Sequence, residues 1–356
     1  MSYTFSITPH AMFEDRFEQF VALGLQRAAV EEMRGAITDM WSDTTGGWVF
    51  EWSRLARRHL AANQSYMASL AYGCAKFPCL ANEAKRQALA HQVTAFLAAA
   101  PGFPVKFERR LIALPFAGRT VTAPVHLYSV SGRHVQAPVL LISGGVDTWK
   151  MDIHNICVAL AQGLGVTVLA FDQPGTGENP APLAIEADEI VLGLVKQARD
   201  IGNGKVAHFG ISFGANYSAM TGLLGVVDAS VVLGGPIDRA FTKEALEKLP
   251  YGMPDIVSNA MGFDHPPRMQ EFVSAAAKLS RRALLERTDN APMLVVNGEN
   301  DYFVPQADTR VFEGRPKTEA HLIAGAGHCA RSKLPDVMSL ALRWLPDQIG
   351  AAPSRR

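Results

Sequence analysis

Apolar residues in the first hundred positions recur at spacings of three and four, in FEQFVALGL, WVFEWSRLARRHLAANQSYMASLAYGCAKF and EAKRQALAHQVTAFLAAA. This is the period an amphipathic helix buries on one face, and no stretch between Met12 and Ala100 reads as a convincing strand. Gly46-Gly47, Phe77-Pro78 and Pro101-Gly102-Phe103-Pro104 divide the pattern into segments, since glycine and proline interrupt helical backbone. Residues 1–104 are expected to form an all-helical N-terminal domain.

Beyond Pro104 the period changes. KFERRLIALPF and VTAPVHLYSV, on either side of Ala117-Gly118-Arg119, predict an antiparallel pair. Short apolar runs then alternate with helical stretches: VLLIS (139–143), VTVLAF (166–171), KVAHFG (205–210), ASVVLG (229–234), MLVVNG (293–298) and EAHLIAG (319–325). Strands that are apolar on both faces must be covered on both. The expected fold over residues 105–356 is therefore α/β: a mostly parallel eight-stranded sheet with helices on both faces. Such sheets place their chemistry beyond the carboxyl ends of the strands. The alternation fails over residues 236–282, where a proline-rich, helical sequence predicts an insertion acting as a lid.

The candidate chemistry falls at those strand ends. In HFGISFGAN, Ser212 stands between Gly210 and Gly214, directly after a predicted strand and before a predicted helix. That context turns the short motif G-x-S-x-G into a nucleophile elbow. A serine hydroxyl is a weak nucleophile at neutral pH and needs a histidine to take its proton and an acid to orient that histidine. Asp301 follows MLVVNG in NGENDYFVP, and His328 follows the next strand in LIAGAGHCA, giving the chain order Ser, Asp, His. Glu299 is the competing acid, but Asp301 lies further into its loop and is shorter. Oxyanion donors are expected from the backbone N–H of Phe213 and from the loop SGGVDTWKMD, through Val146 or Gly145. In that loop Asp147, Lys150 and Asp152 are expected to brace the chain through salt bridges. DQPGTGEN (172–179) lacks the spacing of a phosphate loop and reads as a tight turn. Aromatics expected at a substrate pocket are Trp149, Trp52, Tyr251 and Phe303.

Composition narrows the partners. Of 356 residues, 48% are hydrophobic and 19% charged, and 34 basic residues balance 34 acidic ones. With no long basic run, neither nucleic acid nor an anionic membrane is an expected partner. No stretch approaches eighteen uninterrupted apolar residues, and MSYTFSITPHAMFEDRF does not read as a secretory leader, so a cytoplasmic location is expected. The four cysteines are scattered, and no H-E-x-x-H occurs. No metal and no cofactor are therefore expected, and the partner is a small-molecule substrate.

Taken with the ordered triad, GGVDTWKMD and DQPGTGEN resemble the α/β-hydrolase fold. The resemblance is to the branch that includes 2,6-dihydropseudooxynicotine hydrolase, the fermentation-respiration switch protein and fungal hydrolases that shorten polyketide chains. The W-x-x-E-W start and Y-x-x-A-x-F-P close of the helical segment match the N-terminal domain of that branch. The resemblance implies Ser212 as nucleophile, His328 as acid and base, and Asp301 as its partner. It implies cleavage of an ester, or of a carbon-carbon bond next to a carbonyl as in β-dicarbonyl or polyketide-like compounds. Carbon leaving groups need extra acids, for which Asp238, Asp255 and Asp264 are candidates. Where that branch often has a glutamate, this chain has Asp152. An acyltransferase on the same triad and a non-catalytic regulatory binding protein on a hydrolase scaffold are the alternatives. The resemblance makes a homodimer one further expectation.

Overall fold

In the computed structural model, which describes residues 3–130 and 137–351, each expected apolar run becomes a strand. The strands are β1 (Lys106–Phe116), β2 (Arg119–Ser129), β3 (Val139–Ser143), β4 (Thr167–Phe171), β5 (Val206–Ile211), β6 (Ala229–Leu233), β7 (Met293–Gly298) and β8 (Thr318–Ile323). They form one eight-stranded sheet in the order β1-β2-β4-β3-β5-β6-β7-β8. The β1–β2 and β2–β4 pairs are antiparallel, and every other pair is parallel. All residues of β3, β4, β6 and β7 are buried, the signature of a sheet covered on both faces.

The helices are α1 (Pro9–Ala22), α2 (Arg27–Ala36), α3 (Trp48–Ala61), α4 (Ser65–Lys76), α5 (Glu83–Ala99), α6 (His154–Leu164), α7 (Asp188–Ile201), α8 (Gly214–Leu223), α9 (Lys243–Leu246), α10 (Met253–Ala260), α11 (Met269–Ala276), α12 (Ala307–Arg310) and α13 (Leu334–Ile349). Among the described residues no helix is long and apolar enough to cross a membrane.

The chain divides into two compact units. A helical unit comprises Met1–Phe103, Met151–Asn155 and Pro250–Arg268, and a sheet unit comprises Pro104–Lys150, Ile156–Leu249 and Met269–Arg356. The stretch expected as one insertion, 236–282, is therefore split. Its middle, with α10, belongs to the helical unit, where the Tyr3 hydroxyl donates to the Asp255 carbonyl at 2.9 Å. A Cβ on Gly252 would stand 2.5 Å from the Phe5 ring, so glycine admits that aromatic segment.

In the helical unit, Thr8 caps α1 with Pro9 in its first turn, and Asn82 caps α5. The core is aromatic: Phe13, Phe20, Trp48, Trp52 and Phe77 contact one another edge-on or tilted. Within it Asp152 is buried, taking Lys76 Nζ at 2.8 Å on one oxygen and Gln92 Nε2 at 2.7 Å on the other. A Cβ at Gly73 would crowd both Gln92 and Asp152, so α4 approaches them only through glycine. Asp152, expected to brace the chain through a salt bridge, makes that bridge with Lys76 inside the helical unit.

In the sheet unit α8 packs on β5 and β6, and α13 on β6 and β7. Every residue of α8 is buried. Ala215 and Ala219 give it the small face that meets Val232, Met293 and Val295.

Candidate active site

β5 ends at Ile211 and α8 begins at Gly214, so Ser212 and Phe213 alone connect them. Ser212 has a left-handed backbone with φ 56°, which costs a residue bearing a Cβ about 1–2 kcal/mol. Its flanks hold it there: Ser212 N–H donates to the Leu233 carbonyl at 2.8 Å and Gly214 N–H to the Gly144 carbonyl at 3.1 Å. A Cβ on Gly210 would collide with the backbone of Gly214 and Ala215, and one on Gly214 with the Gly144 carbonyl. The glycines are required by the closeness of strand and helix.

His328 Nε2 lies 2.8 Å from Ser212 Oγ, and His328 Nδ1 lies 2.7 Å from Asp301 Oδ2. The Asp301 side chain is fully enclosed and that of His328 is 10% exposed. The other Asp301 oxygen accepts the N–H groups of Phe303 at 2.7 Å and Val304 at 3.1 Å, so the carboxylate cannot turn away from the histidine. Glu299, the competing acid, is exposed, and its carboxylate accepts only a long bond from Gly325 N–H, at 3.4 Å, among the described residues.

Sequence reasoning missed Asn297, the residue that joins the acid loop to the histidine loop. Its Nδ2 donates to Asp301 Oδ2 at 2.9 Å, while its Oδ1 accepts from Gly298 N–H at 2.8 Å and Cys329 N–H at 3.1 Å. Its signal was an amide at the end of the otherwise apolar run MLVVNG. Being 1% exposed, such a group must find partners inside the protein. Those bonds support an unusual backbone, because Cys329 and Ala330 are both left-handed, with φ 56° and 47°.

Burial works against the Asp301 carboxylate, but the charge and hydrogen bond of His328, with bonds from Asn297 and Phe303, outweigh it and lower its pKa. Burial likewise disfavours the His328 imidazolium, and the adjoining Cys329 and Asp301 more than offset this, raising its pKa above the ordinary 6.5. The pair stabilises positive charge on the imidazole, the species formed when it takes a proton.

The glycine loop after β3 comes up to the serine: a Cβ on Gly145 would stand 3.0 Å from Ser212 Oγ. Among the described residues no acceptor takes the N–H of Phe213 or of Val146. Of the expected bracing acids and bases, Lys150 is fully buried between Asp172 and Glu178.

Of the expected pocket aromatics, Trp149 and Phe303 share the unit of the triad. Phe303 meets the His328 ring edge-on, centroids 5.3 Å apart, and Trp149 Nε1 donates to the Val146 carbonyl at 3.0 Å. Trp52 requires correction. It is 0% exposed inside the aromatic core of the helical unit, so its indole fills that core and faces no open pocket. Tyr251 is half-buried in the helical unit, with φ 55°. Asp255 and Asp264 also lie in that unit, whereas Asp238 is in the sheet unit and accepts from Ser280 and Arg282.

An eight-stranded, mostly parallel sheet with a strand-serine-helix turn, and an acid and a histidine after the last two strands, defines an α/β-hydrolase enzyme. Residues 31–338 match the family described as Esterase FrsA-like, and the chain belongs to that family. Esterase FrsA of Vibrio parahaemolyticus is 25% identical over 342 residues, covering 87% of this chain and 80% of that protein. Esterase FrsA of Vibrio cholerae is 24% identical over 346 residues with the same coverage. Among solved structures, AbyA5 superposes with a TM-score of 0.81 at 19% identity, over 95% of each chain. The 2,6-dihydroxy-pseudo-oxynicotine hydrolase superposes with 0.73 at 19% identity, over 95% of this chain and 97% of that one. At those identities the likeness is one of fold.

Proposed function

We propose that Ser212, His328 and Asp301 form the catalytic triad of a serine hydrolase that works through an acyl-enzyme on a small carbonyl compound. The observation that carries this reading is the unbroken hydrogen-bonded line from Ser212 Oγ through the imidazole to Asp301. Its first residue sits at the tip of a strained turn, where strain is retained by surrounding bonds and clusters with function.

His328 Nε2 takes the Ser212 proton as Oγ adds to the substrate carbonyl, and Asp301 keeps the proton of Nδ1 in place and favours the imidazolium. The N–H groups of Phe213 and Val146, or Gly145 in its stead, donate to the oxyanion. Collapse expels the leaving group, which His328 protonates. Water then adds to the acyl group with its proton passing to His328, and a second collapse frees the acid and Ser212. An ester loses an alkoxide in this scheme, and a 1,3-dicarbonyl compound loses an enolate-stabilised carbon. Membership in an esterase family supports the first as the primary reaction.

Intact mass after treatment with a fluorophosphonate is the direct test. Wild type gains one adduct, Ser212→Ala gains none, and His328→Ala gains it more slowly. An unlabelled, folded wild type would overturn the reading. Among substrates, turnover of p-nitrophenyl esters but not of aryl 1,3-diketones would fix ester hydrolysis, and the reverse would fix carbon-carbon cleavage.

A further inference from the structure

Lys150, Asp172, Glu178 and Arg109 make up a buried charge cluster of the sheet unit that the chemistry proposed above leaves unused. Lys150 is fully buried, its ammonium set against the Asp172 carboxylate and 2.7 Å from Glu178 Oε2. Glu178 is gripped in turn by the Arg109 guanidinium from β1, with two bonds of 2.7 Å. Burial opposes the charge on Glu178, and Arg109 and Lys150 overcome it, lowering its pKa to about 2. Two cations and two anions therefore neutralise one another within hydrogen-bonding distance, the condition under which buried charges are tolerated.

The turn DQPGTGEN is built around this cluster. Glu178 N–H donates to Asp172 Oδ2 at 2.9 Å and Asn179 Nδ2 to the Asp172 carbonyl at 3.0 Å. Gly177, with φ 54°, passes where a Cβ would collide with the Asp172 carboxylate. Asp172 also accepts the backbone N–H of Lys150 at 2.9 Å, so the turn holds the main chain of the glycine loop as well as its lysine.

That loop is pinned along its length. Its first residue accepts from the nucleophile turn, Gly214 N–H to the Gly144 carbonyl at 3.1 Å. Its middle is tied by Trp149 Nε1 to the Val146 carbonyl at 3.0 Å, and the next residue is Lys150, held by Asp172. The peptide whose carbonyl Trp149 holds immediately follows the Val146 N–H, so the fixture at Lys150 and Trp149 sets the direction of that N–H.

We infer that Lys150, clamped by Asp172, is a positioning residue that holds the Val146 N–H on the oxyanion. The inference rests on the serine-hydrolase reading and adds a function for the DQPGTGEN turn that touches no substrate. Donors act in catalysis only when held where the oxyanion will form, and a displacement near 1 Å costs on the order of a hundredfold in rate.

The test is Lys150→Met, with active sites counted by end-point phosphonate labelling of Ser212, so that misfolded protein does not enter the rates. Per labelled site, kcat on a p-nitrophenyl ester falls roughly 10–100-fold while KM stays within about threefold. Affinity for a trifluoromethyl ketone, which adds to the serine and places an oxyanion, falls in parallel. Should Lys150→Met not fold, Asp172→Asn, which leaves Lys150 its bond to Glu178, is read in the same way. A per-site kcat and ketone affinity within about twofold of wild type would overturn the inference and leave the cluster a purely structural one. Failure of wild type to label would instead overturn the serine reading, and this inference with it.

Discussion

Two fully buried lysines, Lys150 of the sheet unit and Lys85 of the helical unit, sit under opposite electrostatic terms, although the helical unit also pairs its buried Lys76 with Asp152. In the sheet unit Lys150 is enclosed with Asp172 and Glu178 against it. In the helical unit Lys85 of α5 is also 0% exposed, but among the described residues its ammonium reaches one acceptor, the Phe77 carbonyl at 2.5 Å, and lies 5.3 Å from the centre of the Trp41 ring. Burial pushes the Lys85 pKa down from 10.5 to about 7, because a carbonyl and a ring face replace only part of the lost hydration. A paired charge holds geometry at little electrostatic cost, whereas an unpaired one is a load on stability. On this contrast, lost polar contacts of the sheet unit near the triad should appear in rates, and those of the helical unit in stability alone.

The largest effect tests the first half of that statement. Asp301→Asn keeps the shape of the acid but removes the charge facing His328, and kcat is expected to fall about ten-thousandfold. Asp301 raises the histidine pKa, and a general base must be neutral to act. The wild-type acid limb of kcat/KM therefore lies above pH 6.5, and the residual activity of Asp301→Asn has its limb shifted to lower pH. A limb at the same pH in both proteins would show that another group limits the reaction.

Asn297→Leu comes next. Asp301 Oδ2 loses one of its two donors but keeps His328, and the N–H groups of Gly298 and Cys329 lose the acceptor that ties the left-handed turn behind His328 to β7. Activity is expected to fall about tenfold or more, with stability lower by about 2–3 kcal/mol for the two groups left unpaired. Steady-state kinetics and urea melts separate the two. A stability loss with unchanged kcat would move Asn297 to the other side of the comparison.

How far these contrasts can be read from the chain depends on the range of the interaction. Strands β3 to β8, the elbow at Ser212 and the order of acid and histidine were legible because each is signalled within a few residues: an apolar run, a glycine two residues to either side of a serine, a loop after a strand. The bracing role of Lys150 was also legible, from charge density in one loop. Trp52 was read as a pocket residue because helical spacing reports that a side chain is buried but not what covers it. The insertion was read as one piece for a similar reason. Its helices look alike locally, and the packing that joins α10 and the turn before it to the helical unit comes from the far end of the chain, from Tyr3, Phe5 and Ile7 among others. For Asp152 the salt bridge was expected but its partners could not be read, since Lys76 and Gln92 lie more than fifty residues away.

The smallest effect on rate, and the sharpest test of the helical unit, comes from Lys85→Met. Per labelled site the variant should turn over ester at the wild-type rate, and a changed kcat would break the division between the units. Its effect on stability depends on pH. Below about pH 7 Lys85 is protonated in both folded and unfolded chains, and its burial in the charged state is a fixed cost. Between about 7 and 10.5 the unfolded chain holds a proton that the folded one has released, so wild-type stability rises with pH by up to ~1.4 kcal/mol per unit. Methionine carries no proton and removes that slope, but it leaves the Phe77 carbonyl without its donor, at about 1–3 kcal/mol. Lys85→Met is therefore expected to be more stable than wild type at pH 6 and less stable at pH 10, with the curves crossing between. Urea midpoints at the two pH values measure this directly, and parallel curves would mean that the folded protein keeps Lys85 charged throughout, with a partner that offsets its burial.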